Sequence, residues 1–473
     1  MDGLTNSQIA ETQYDRGLCE IGIVHLGFGA FHRAHQAVYI DDYMNQTGDL
    51  RWGIAAINLR ESESESFATV ANEISHFDGY FLKSVSPDMV SDYQKIRPHI
   101  AFSDWASDAA SAEAFLSLTS VHLVTITVTE SGYYTNPEGD LDLQHPVIKA
   151  EIETGNKTSI YAYLRAGLLA RKSEINQPLT IACCDNIRGN GKMLHRNLMA
   201  YLVAFGDTDL ASWVSDNVAF PCSMVDRITP RSSEALALEL SSLIGSTVRA
   251  PILCEDYLQW VLANDAKTPM PDLAKVGVTV TADVDPYEET KIRVLNGGHT
   301  ALAYLAALEG IETFDEAMRV PHLRQHFDHF EIDEVLPAIT IAVPFAKDAY
   351  QEKTARRFGN QAIGDTVARI CADGMAKFPI FVRPTIEGCF AQGIVPQFAI
   401  TSIASWYVFA CHVAAGKIPF NYVEPSWDAL VAMLGTDEFY VSEQLWGSVP
   451  IDYPEFQDVL RQKIAELEEK WPV

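Results

Sequence analysis

An apolar run of strand length passes into a turn with two closely spaced glycines in the sequence Ile21-Gly22-Ile23-Val24-His25-Leu26-Gly27-Phe28-Gly29-Ala30-Phe31. The run Ile21 to Leu26 predicts a buried strand, and the residues that follow, as far as Met44, predict a helix. Strand, Gly-x-Gly turn and helix form the first unit of dinucleotide-binding folds, because small residues let a pyrophosphate lie against the helix N-terminus. We therefore predict a Rossmann-type α/β domain at this end of the chain.

The turn departs from the usual fingerprint at one position. His32 stands where a third glycine is expected, so a strand, turn and helix without any ligand is an alternative interpretation. If the turn does bind a dinucleotide, the contacting residues would be Gly27, Phe28, Gly29, Ala30 and Phe31.

The choice of dinucleotide depends on the end of the second predicted strand, Trp52 to Ile57. In NAD-binding folds an acidic residue near this point accepts hydrogen bonds from the adenosine ribose. Glu61 is close enough for that role, whereas Arg60 could pair with the 2′-phosphate of NADP. We predict NAD as the preferred cofactor.

Two further apolar, β-branched runs, Val121 to Val128 and Leu179 to Cys184, have the length of strands. Because helical stretches such as Tyr161 to Ile175 separate the strands, we expect a mainly parallel sheet. Ligands of such sheets bind beyond the carboxyl ends of the strands, where Asn186 could donate a hydrogen bond to a substrate oxygen. An asparagine that only caps the turn before Gly189 is an equally ordinary alternative.

An amine, an amide and an imidazole occur close together in the segment Lys291-Ile292-Arg293-Val294-Leu295-Asn296-Gly297-Gly298-His299. On an α-helix with roughly 100° per residue, Lys291, Asn296 and His299 fall at about 0°, 140° and 80°, so all three can face one cleft. Two glycines inside a helix cost about 1 kcal/mol each relative to alanine, which indicates that something approaches the backbone closely. Solvated or capping side chains are the alternative interpretation.

Helical apolar spacing recurs towards the C-terminus, in Ala301 to Leu308, Ile363 to Ala372, Ser402 to Ala414 and Phe456 to Lys470. The chain therefore predicts two domains, a Rossmann-type domain over residues 1–285 and a mostly α-helical domain over residues 286–473.

A rival site lies in the second predicted domain, where His322, His326 and His329 could present three imidazoles to a metal from one helical face. Catalytic zinc helices usually carry an acidic general base between the histidines, but here the intervening residues include Arg324. We therefore predict a solvated or packed histidine face and no metal site.

The composition narrows the partners and the compartment. A net charge of −28 over 473 residues repels polyanions, so nucleic acid is not an expected partner. No apolar run approaches the length that spans a bilayer, and Met1 to Cys19 lack the basic and apolar regions of a signal peptide. The eight cysteines include no C-x-x-C pair, which indicates reduced thiols. We expect a cytoplasmic protein, away from membranes, that is a monomer or a weak homo-oligomer.

Five segments together resemble the long-chain polyol dehydrogenases, the mannitol dehydrogenase family. They are residues 27–35, Thr127-Val128-Thr129-Glu130, Cys184-Asp185-Asn186, Met224-Val225-Asp226-Arg227-Ile228-Thr229-Pro230 and residues 291–299. The resemblance covers most of the chain, and within the family it is greatest to the D-arabinitol and mannitol enzymes.

This resemblance implies a metal-free, NAD-dependent interconversion of a secondary alcohol and a ketone on an open-chain polyol, in a cleft between a Rossmann-type and a helical domain. Lys291 would be the general base, since a desolvated cleft lowers the pKa of a lysine. Asn186 and Asn296 would donate hydrogen bonds to the developing alkoxide, and His299 would orient the reacting hydroxyl.

Further roles are implied by the same resemblance. Thr127 and Glu130 would contact the cofactor, and Glu288 would line the route of the Lys291 proton to solvent. The distal hydroxyls would be held by Asp226, Arg369 and Lys377.

Two other functions remain as alternatives. Arg369 favours a fructuronate or tagaturonate reductase, since a guanidinium pairs well with a carboxylate. A nucleotide-binding sensor without chemistry is a remote alternative, because the intact set of Lys291, Asn296 and His299 would have no purpose in a sensor.

Overall fold

The computed structural model describes residues 9–136 and 139–472, which form two compact units. The first unit contains the described residues up to Val85 together with Val90–Val284, and the second contains Ser86–Met89 and the chain from Asp285 onward. No sequence pattern predicted that the loop Ser86–Met89 groups with the second unit. There the Asp88 carboxylate pairs with Arg356 at 3.2 Å.

The strands found in the described residues all belong to the first unit. In chain order they are β1 (Ile9–Glu11), β2 (Ile21–Leu26), β3 (Gly53–Asn58), β4 (Tyr80–Val85), β5 (Ser91–Ile96), β6 (His99–Asp104), β7 (Leu123–Ile126), β8 (Leu179–Cys183), β9 (Val218–Ala219), β10 (Ser223–Asp226), β11 (Ile252–Glu255), β12 (Gln259–Ala263) and β13 (Thr279–Thr281).

The first unit also carries a set of α-helices. They are α1 (Ala30–Ala34), α2 (Gln36–Thr47), α3 (Ser64–Phe77), α4 (Ala109–Ala114), α5 (Pro146–Thr154), α6 (Ile160–Glu174), α7 (Asn190–Phe205), α8 (Thr208–Asn217) and α9 (Glu234–Ile244).

A six-stranded sheet with the order β6-β3-β2-β7-β8-β9 forms the centre of the first unit, and every adjacent pair in it is parallel. Helices cover both faces, so successive residues of one strand enter different cores. In β2, Ile23 packs in the core that contains Ile40 of α2, while Val24 packs with Leu164 of α6 and Leu198 of α7. The predicted α/β class with a mainly parallel sheet is confirmed.

Two smaller sheets were not predicted. One has the order β1-β5-β4-β11, and the other has the order β10-β12-β13. The strand β5 reads Ser-Asp-Tyr-Gln-Lys-Ile, which has no apolar run, and β1 has only three residues. Their strand conformation depends on pairing with neighbours, and local sequence does not reveal it.

In the second unit, the named secondary-structure elements of the described residues are all helices. Its α-helices are α10 (Asp285–Thr290), α11 (Gly297–Leu308), α12 (Phe314–Arg319), α13 (Pro321–His329), α14 (Leu336–Ala338), α15 (Lys347–Phe358), α16 (Val367–Cys371), α17 (Gly374–Lys377), α18 (Arg383–Ala391), α19 (Gln397–Ala414), α20 (Trp427–Met433), α21 (Glu438–Val441), α22 (Glu443–Trp446), α23 (Val449–Asp452) and α24 (Glu455–Lys470). Three π-helical segments occur at Lys291–Asn296, Phe330–Val335 and Phe378–Val382.

One continuous core joins these helices, with α11 and α19 at its centre. Tyr304 of α11 lies beside Trp406 of α19, and both are fully buried. The predicted helices are present, although the run Ile363 to Ala372 shortens to α16. Within residues 9–136 and 139–472, the helices are too short or too polar to cross a membrane.

Candidate active site

The Gly-x-Gly turn between β2 and α1 opens onto a cavity of about 130 Å³ in the first unit. Gly27 has a φ of 89°, and a Cβ there would lie 2.0 Å from the carbonyl oxygen of Thr127, so only glycine fits. A Cβ on Gly29 would meet no atom within 4 Å. Gly27, Gly29 and Thr127 all line the cavity, together with Arg60 and Glu63. The turn therefore leaves open the space that a dinucleotide phosphate occupies in such folds.

Two side chains from the sheet hold the carbonyl oxygen of Gly27. The Thr127 hydroxyl donates to it at 2.9 Å, and Nε2 of His25 lies 3.0 Å from the same oxygen. His25 is fully buried, and burial lowers its pKa to about 3, so the imidazole is neutral. Thr127, predicted as a cofactor contact, both borders the cavity and fixes the turn.

His32, at the position of the missing third glycine, is also fully buried. Its ring stacks on His25 with centroids 3.3 Å apart, and its Nε2 lies 2.9 Å from Nε2 of His99. Burial, reinforced by the neighbouring histidines, lowers the pKa of His32 well below its usual value. Stacked neutral rings therefore pack the helix against the strand, where a glycine usually permits close contact.

At the end of β3, the acidic residue that borders the cavity is Glu63. The Arg60 guanidinium lines the cavity and donates to Glu63 at 3.3 Å, whereas Glu61 is exposed and lies outside the lining. The Asn58 amide is engaged with the Arg60 carbonyl and with Asp104, both at 2.9 Å. Glu63 was not predicted, because the acid nearest the strand end was expected to face the ligand.

Four other residues predicted to contact the cofactor do not line this cavity. Phe28 packs edge-on against His99 at 4.8 Å, and Phe31 stacks on His35 at 5.0 Å. Ala30 is the first residue of α1, and Glu130 is an exposed residue that begins a short 3-10 helix. Of the residues predicted to contact the cofactor, those that line the cavity are therefore Gly27, Gly29, Arg60 and Thr127.

Two predicted substrate-side residues also belong to the first unit. Asn186 is exposed and follows β8 in the segment that leads to α7. Asp226 is the last residue of β10 and is 4% exposed.

Lys291 lies in the second unit, at the start of the π-helical segment that joins α10 to α11, and is 7% exposed. The predicted α-helical angles were wrong here, because π-helical i→i+5 hydrogen bonds add about one residue to each turn. Lys291 and Asn296, five residues apart, therefore lie nearly in line along the axis and not about 140° apart. Such segments occur frequently at functional sites.

The amide nitrogen of Asn296 is buried, and it has no hydrogen-bond partner among the residues that the structure describes. A buried donor without a partner costs about 1–3 kcal/mol, so native proteins seldom keep one. Asn296 therefore carries a donor that is suited to an acceptor from outside the chain.

The glycine pair after Asn296 is explained by packing within the second unit. A Cβ on Gly298 would lie 2.6 Å from a carboxyl oxygen of Glu331 and 2.8 Å from the ring of Phe327. On Gly297, a Cβ would lie 3.1 Å from the Phe381 carbonyl oxygen. The predicted close approach to the backbone is present, and neighbouring helices make it.

His299 lies between aromatic rings and cationic side chains. It stacks on Phe358 with centroids 3.9 Å apart and meets Phe314 edge-on at 4.6 Å. Burial lowers its pKa well below the usual value, and the charges of Arg369, Arg357 and Lys377 act in the same direction. The imidazole is therefore neutral and can exchange a hydrogen bond with a substrate hydroxyl. Arg357, Phe358 and Phe314 were not predicted, since no motif marks them.

The remaining predicted residues of the second unit differ in their surroundings. Desolvation lowers the pKa of Arg369, but the pairing of its guanidinium with Asp365 at 2.6 Å outweighs that effect and raises the pKa. The Lys377 ammonium donates to the Ile370 carbonyl at 2.8 Å, and its pKa is lowered by burial and then by Arg369. Glu288, in α10, is 5% exposed.

The three histidines of α13 each contact a different partner. His322 binds Glu309 at 2.7 Å, His326 binds Ser402 at 3.0 Å, and His329 binds Asp333 at 2.6 Å. Their nitrogens therefore serve helix packing and surface hydrogen bonds.

Comparison with known proteins agrees with this architecture. Residues 21–275 match the family model "Mannitol dehydrogenase Rossmann domain", and residues 283–446 match "Mannitol dehydrogenase C-terminal domain". D-arabinitol 4-dehydrogenase of Ralstonia nicotianae is 33% identical over 90% of this chain and 92% of its own. Mannitol 2-dehydrogenase of Cereibacter sphaeroides is 33% identical over 89% of this chain and 87% of its own.

A solved structure is similar over nearly the whole chain. It is the ternary complex of Pseudomonas fluorescens mannitol 2-dehydrogenase with NAD and D-mannitol, with a TM-score of 0.86 and 28% identity over 99% of this chain and 97% of that one. The two family models together cover the parallel-sheet unit and most of the helical unit. On this evidence, the chain belongs to the mannitol dehydrogenase family, as its sequence segments predicted.

Proposed function

We propose that this protein is an NAD-dependent polyol dehydrogenase that interconverts a sugar alcohol of the D-mannitol or D-arabinitol class and the corresponding ketose. The observation that carries the proposal is the buried amide nitrogen of Asn296, which has no partner within the described chain and follows the buried Lys291 by five residues. Family membership supports the reaction class, because relatives named for arabinitol and mannitol match most of the chain.

The dinucleotide would be held in the first unit by the cavity at Gly27 and Gly29. The fit rests on the positive φ of Gly27 and on the open space in front of Gly29. NAD, when bound, supplies the acceptor for the hydride that leaves the alcohol carbon. Glu63 would accept from the adenosine ribose, and its charge would disfavour a 2′-phosphate more than Arg60, already paired with Glu63, could favour it.

In polyol oxidation the amine of Lys291 would take the hydroxyl proton. Lys291 is 7% exposed, and a general base must be neutral before it takes the proton. The amides of Asn296 and Asn186 would donate to the oxygen as its negative charge develops, and His299, held neutral by burial, would orient the hydroxyl. Glu288 would take part in the proton's route to solvent.

A second candidate is a ketouronate reductase, which would act on fructuronate or tagaturonate. It is favoured by the three cationic side chains whose charges reach His299, namely Arg357, Arg369 and Lys377. Because Asp365 already pairs with Arg369, a substrate carboxylate would have to compete for that guanidinium. The same cations can also donate hydrogen bonds to neutral hydroxyls, so their presence is compatible with a polyol substrate that carries no carboxylate.

A substrate panel separates these candidates. Mannitol, D-arabinitol, sorbitol, fructose and fructuronate would be offered with NAD or NADP, or with their reduced forms, and NADH or NADPH absorbance would be followed. We expect the highest kcat/KM for mannitol or D-arabinitol with NAD. A preference for fructuronate would establish the second candidate, and a higher kcat/KM with NADP would refute the cofactor assignment.

Replacement of the base tests the chemistry. Lys291→Met preserves the length of the side chain, removes the amine and should lower kcat by orders of magnitude while NAD still binds. Lys470→Met, at an exposed lysine that pairs with Glu309, is the matched control and should retain wild-type activity. Near-normal turnover of Lys291→Met at neutral pH would remove Lys291 from the mechanism.

A further inference from the structure

The carboxylate of Asp185, directly after β8, binds the loop that follows β7 through three hydrogen bonds. It accepts from the backbone N–H of Val128 at 2.8 Å, from the N–H of Thr129 at 3.1 Å and from the Tyr133 hydroxyl at 2.6 Å. Hydrogen bonds to an ionised acceptor are the stronger class. One side chain therefore fixes two consecutive peptide groups of the loop.

The loop requires such fixing because Thr129 has an unfavourable backbone conformation. Its φ of 66° and ψ of 162° lie in a region that β-branched residues rarely adopt. Val128 and Thr129 both line the cavity at Gly27 and Gly29. Strained residues persist only where surrounding contacts determine them. Asp185 accepts from the Thr129 N–H, and the Thr129 carbonyl oxygen accepts from the Gly132 N–H at 3.0 Å.

We propose that Asp185 is a positioning residue for the dinucleotide, whose carboxylate holds Val128 and Thr129 in the conformation that shapes one wall of the cavity. This inference rests on the proposed function, because it requires a dinucleotide in that cavity. Asn186 is the next residue, so the same carboxylate also fixes the start of the segment that carries the proposed oxyanion donor.

Asp185→Asn changes the charge of this side chain and hardly changes its shape. The new amide keeps one acceptor oxygen but turns an NH₂ group towards an N–H or O–H donor. We expect the Kd for NAD, measured by titration of the purified protein, to rise about tenfold or more, since the lost contacts are hydrogen bonds to a charged group. The KM for NAD should rise by a larger factor than kcat falls.

A second substitution tests whether backbone strain is the cause. Glycine adopts positive φ without penalty, so Asp185→Asn combined with Thr129→Gly needs less support from residue 185. The double variant should bind NAD more tightly than Asp185→Asn alone. Asp185→Asn combined with Thr129→Ala loses the same hydroxyl but keeps a Cβ, and it should show no such recovery.

Glu73 offers a matched control in the same unit. Its carboxylate also accepts from two consecutive N–H groups, those of Arg249 at 2.6 Å and Ala250 at 3.3 Å, but it does not line the cavity. Glu73→Gln should lower the stability to denaturant and leave the Kd for NAD close to the wild-type value.

The wild-type protein provides a test without mutation. Burial raises the pKa of Asp185 to about 6, and the negative charge of Glu130 acts in the same direction. The hydrogen bonds from Tyr133, Val128 and Thr129 lower this pKa but do not cancel the effect of burial. The Cys183 and Cys184 thiols also face this carboxylate, and burial raises the pKa of both well above neutral pH. The Asp185 carboxylate is therefore ionised above about pH 6. Below that pH it becomes protonated, and its hydrogen bonds to Val128 and Thr129 weaken. The wild-type Kd for NAD should rise as the pH falls from about 7 to 5, and the rise should be absent in Asp185→Asn.

Each outcome decides the inference. A Kd for Asp185→Asn within about twofold of wild type, or a loss that Glu73→Gln reproduces, would show that Asp185 serves stability alone. If Asp185→Asn does not fold, a flat wild-type Kd over the same pH range overturns the proposal, and a rise supports it. Wild-type protein that binds neither NAD nor NADP would overturn the proposed function itself, which the variants alone cannot do.

Discussion

Truncation of Asn296 should remove activity without a matching loss of stability. Its amide nitrogen is buried and has no partner among the described residues, so Asn296→Ala deletes a donor that the free protein does not use. Loss of one oxyanion donor typically lowers kcat by about 10²–10³. Removal of the unpaired donor gains about 1–3 kcal/mol, which offsets the lost packing of the side chain, so the free energy of unfolding should change little.

Steady-state kinetics and urea denaturation of the same preparations measure both quantities. Asn296→Asp should be less active than Asn296→Ala, because a carboxylate adds repulsion where the substrate oxygen becomes negative. Asn421→Ala, at an exposed asparagine of the second unit, is the control and should match wild type in both assays. The reasoning is refuted if Asn296→Ala keeps kcat within about threefold of wild type, or if its stability falls by more than about 2 kcal/mol.

Three further predictions concern stability and metals. Gly298→Ala should destabilise the protein by about 1–3 kcal/mol in denaturant titrations, since its Cβ would lie 2.6 Å from Glu331. Gly359→Ala is the control and should not destabilise it, because its nearest contact would be at 3.5 Å. Equal effects of the two substitutions would contradict this prediction. Burial raises the pKa of Glu331 well above its usual value, and both carboxyl oxygens lack partners within the described chain, so wild-type stability should fall as the pH rises from about 5 to 8. Glu331→Gln should remove that slope and Glu352→Gln, at an exposed position, should not; an unchanged slope in Glu331→Gln would refute the assignment. EDTA should leave activity intact, and zinc-restorable loss would redirect attention to His322, His326 and His329.

Strands that are buried on both faces could be predicted because their sequences are almost continuously apolar. The predicted strand Ile21 to Leu26 coincides with β2, and Leu179 to Cys184 extends one residue beyond β8. The polar strand β5 could not be predicted in this way, since its pairing with β4 and not its own composition makes it a strand. The pattern of apolar residues thus indicates which strands are buried, and it does not predict a polar strand near the edge of a sheet.

The candidate site could be predicted where a residue has a local backbone requirement. Gly27 follows from the turn itself, whereas Glu63 depends on how the 3-10 helix Glu61–Glu63 turns its side chains. Arg357 lies near His299 only because α15 packs against the Lys291 segment, a relation that spans more than fifty residues of chain. The apolar spacing around Lys291 does not distinguish a π-helical segment from an α-helix. The angles between Lys291, Asn296 and His299 were therefore predicted for the wrong type of helix.

That winding is equivalent to one residue inserted into an α-helix. Deletion of a single residue between Lys291 and Asn296 would let α10 and α11 join as a regular α-helix, with every backbone hydrogen bond still available. The helix would survive, and four α-helical steps of about 100° would keep the two ends of the segment in nearly the same register as the five π-helical steps do. An α-helix that kept every residue would instead rotate everything before it, Lys291 included, by about 100° relative to α11. The face on which Lys291 lies is therefore set by the winding of this segment together with the number of residues in it, and neither quantity fixes that face alone.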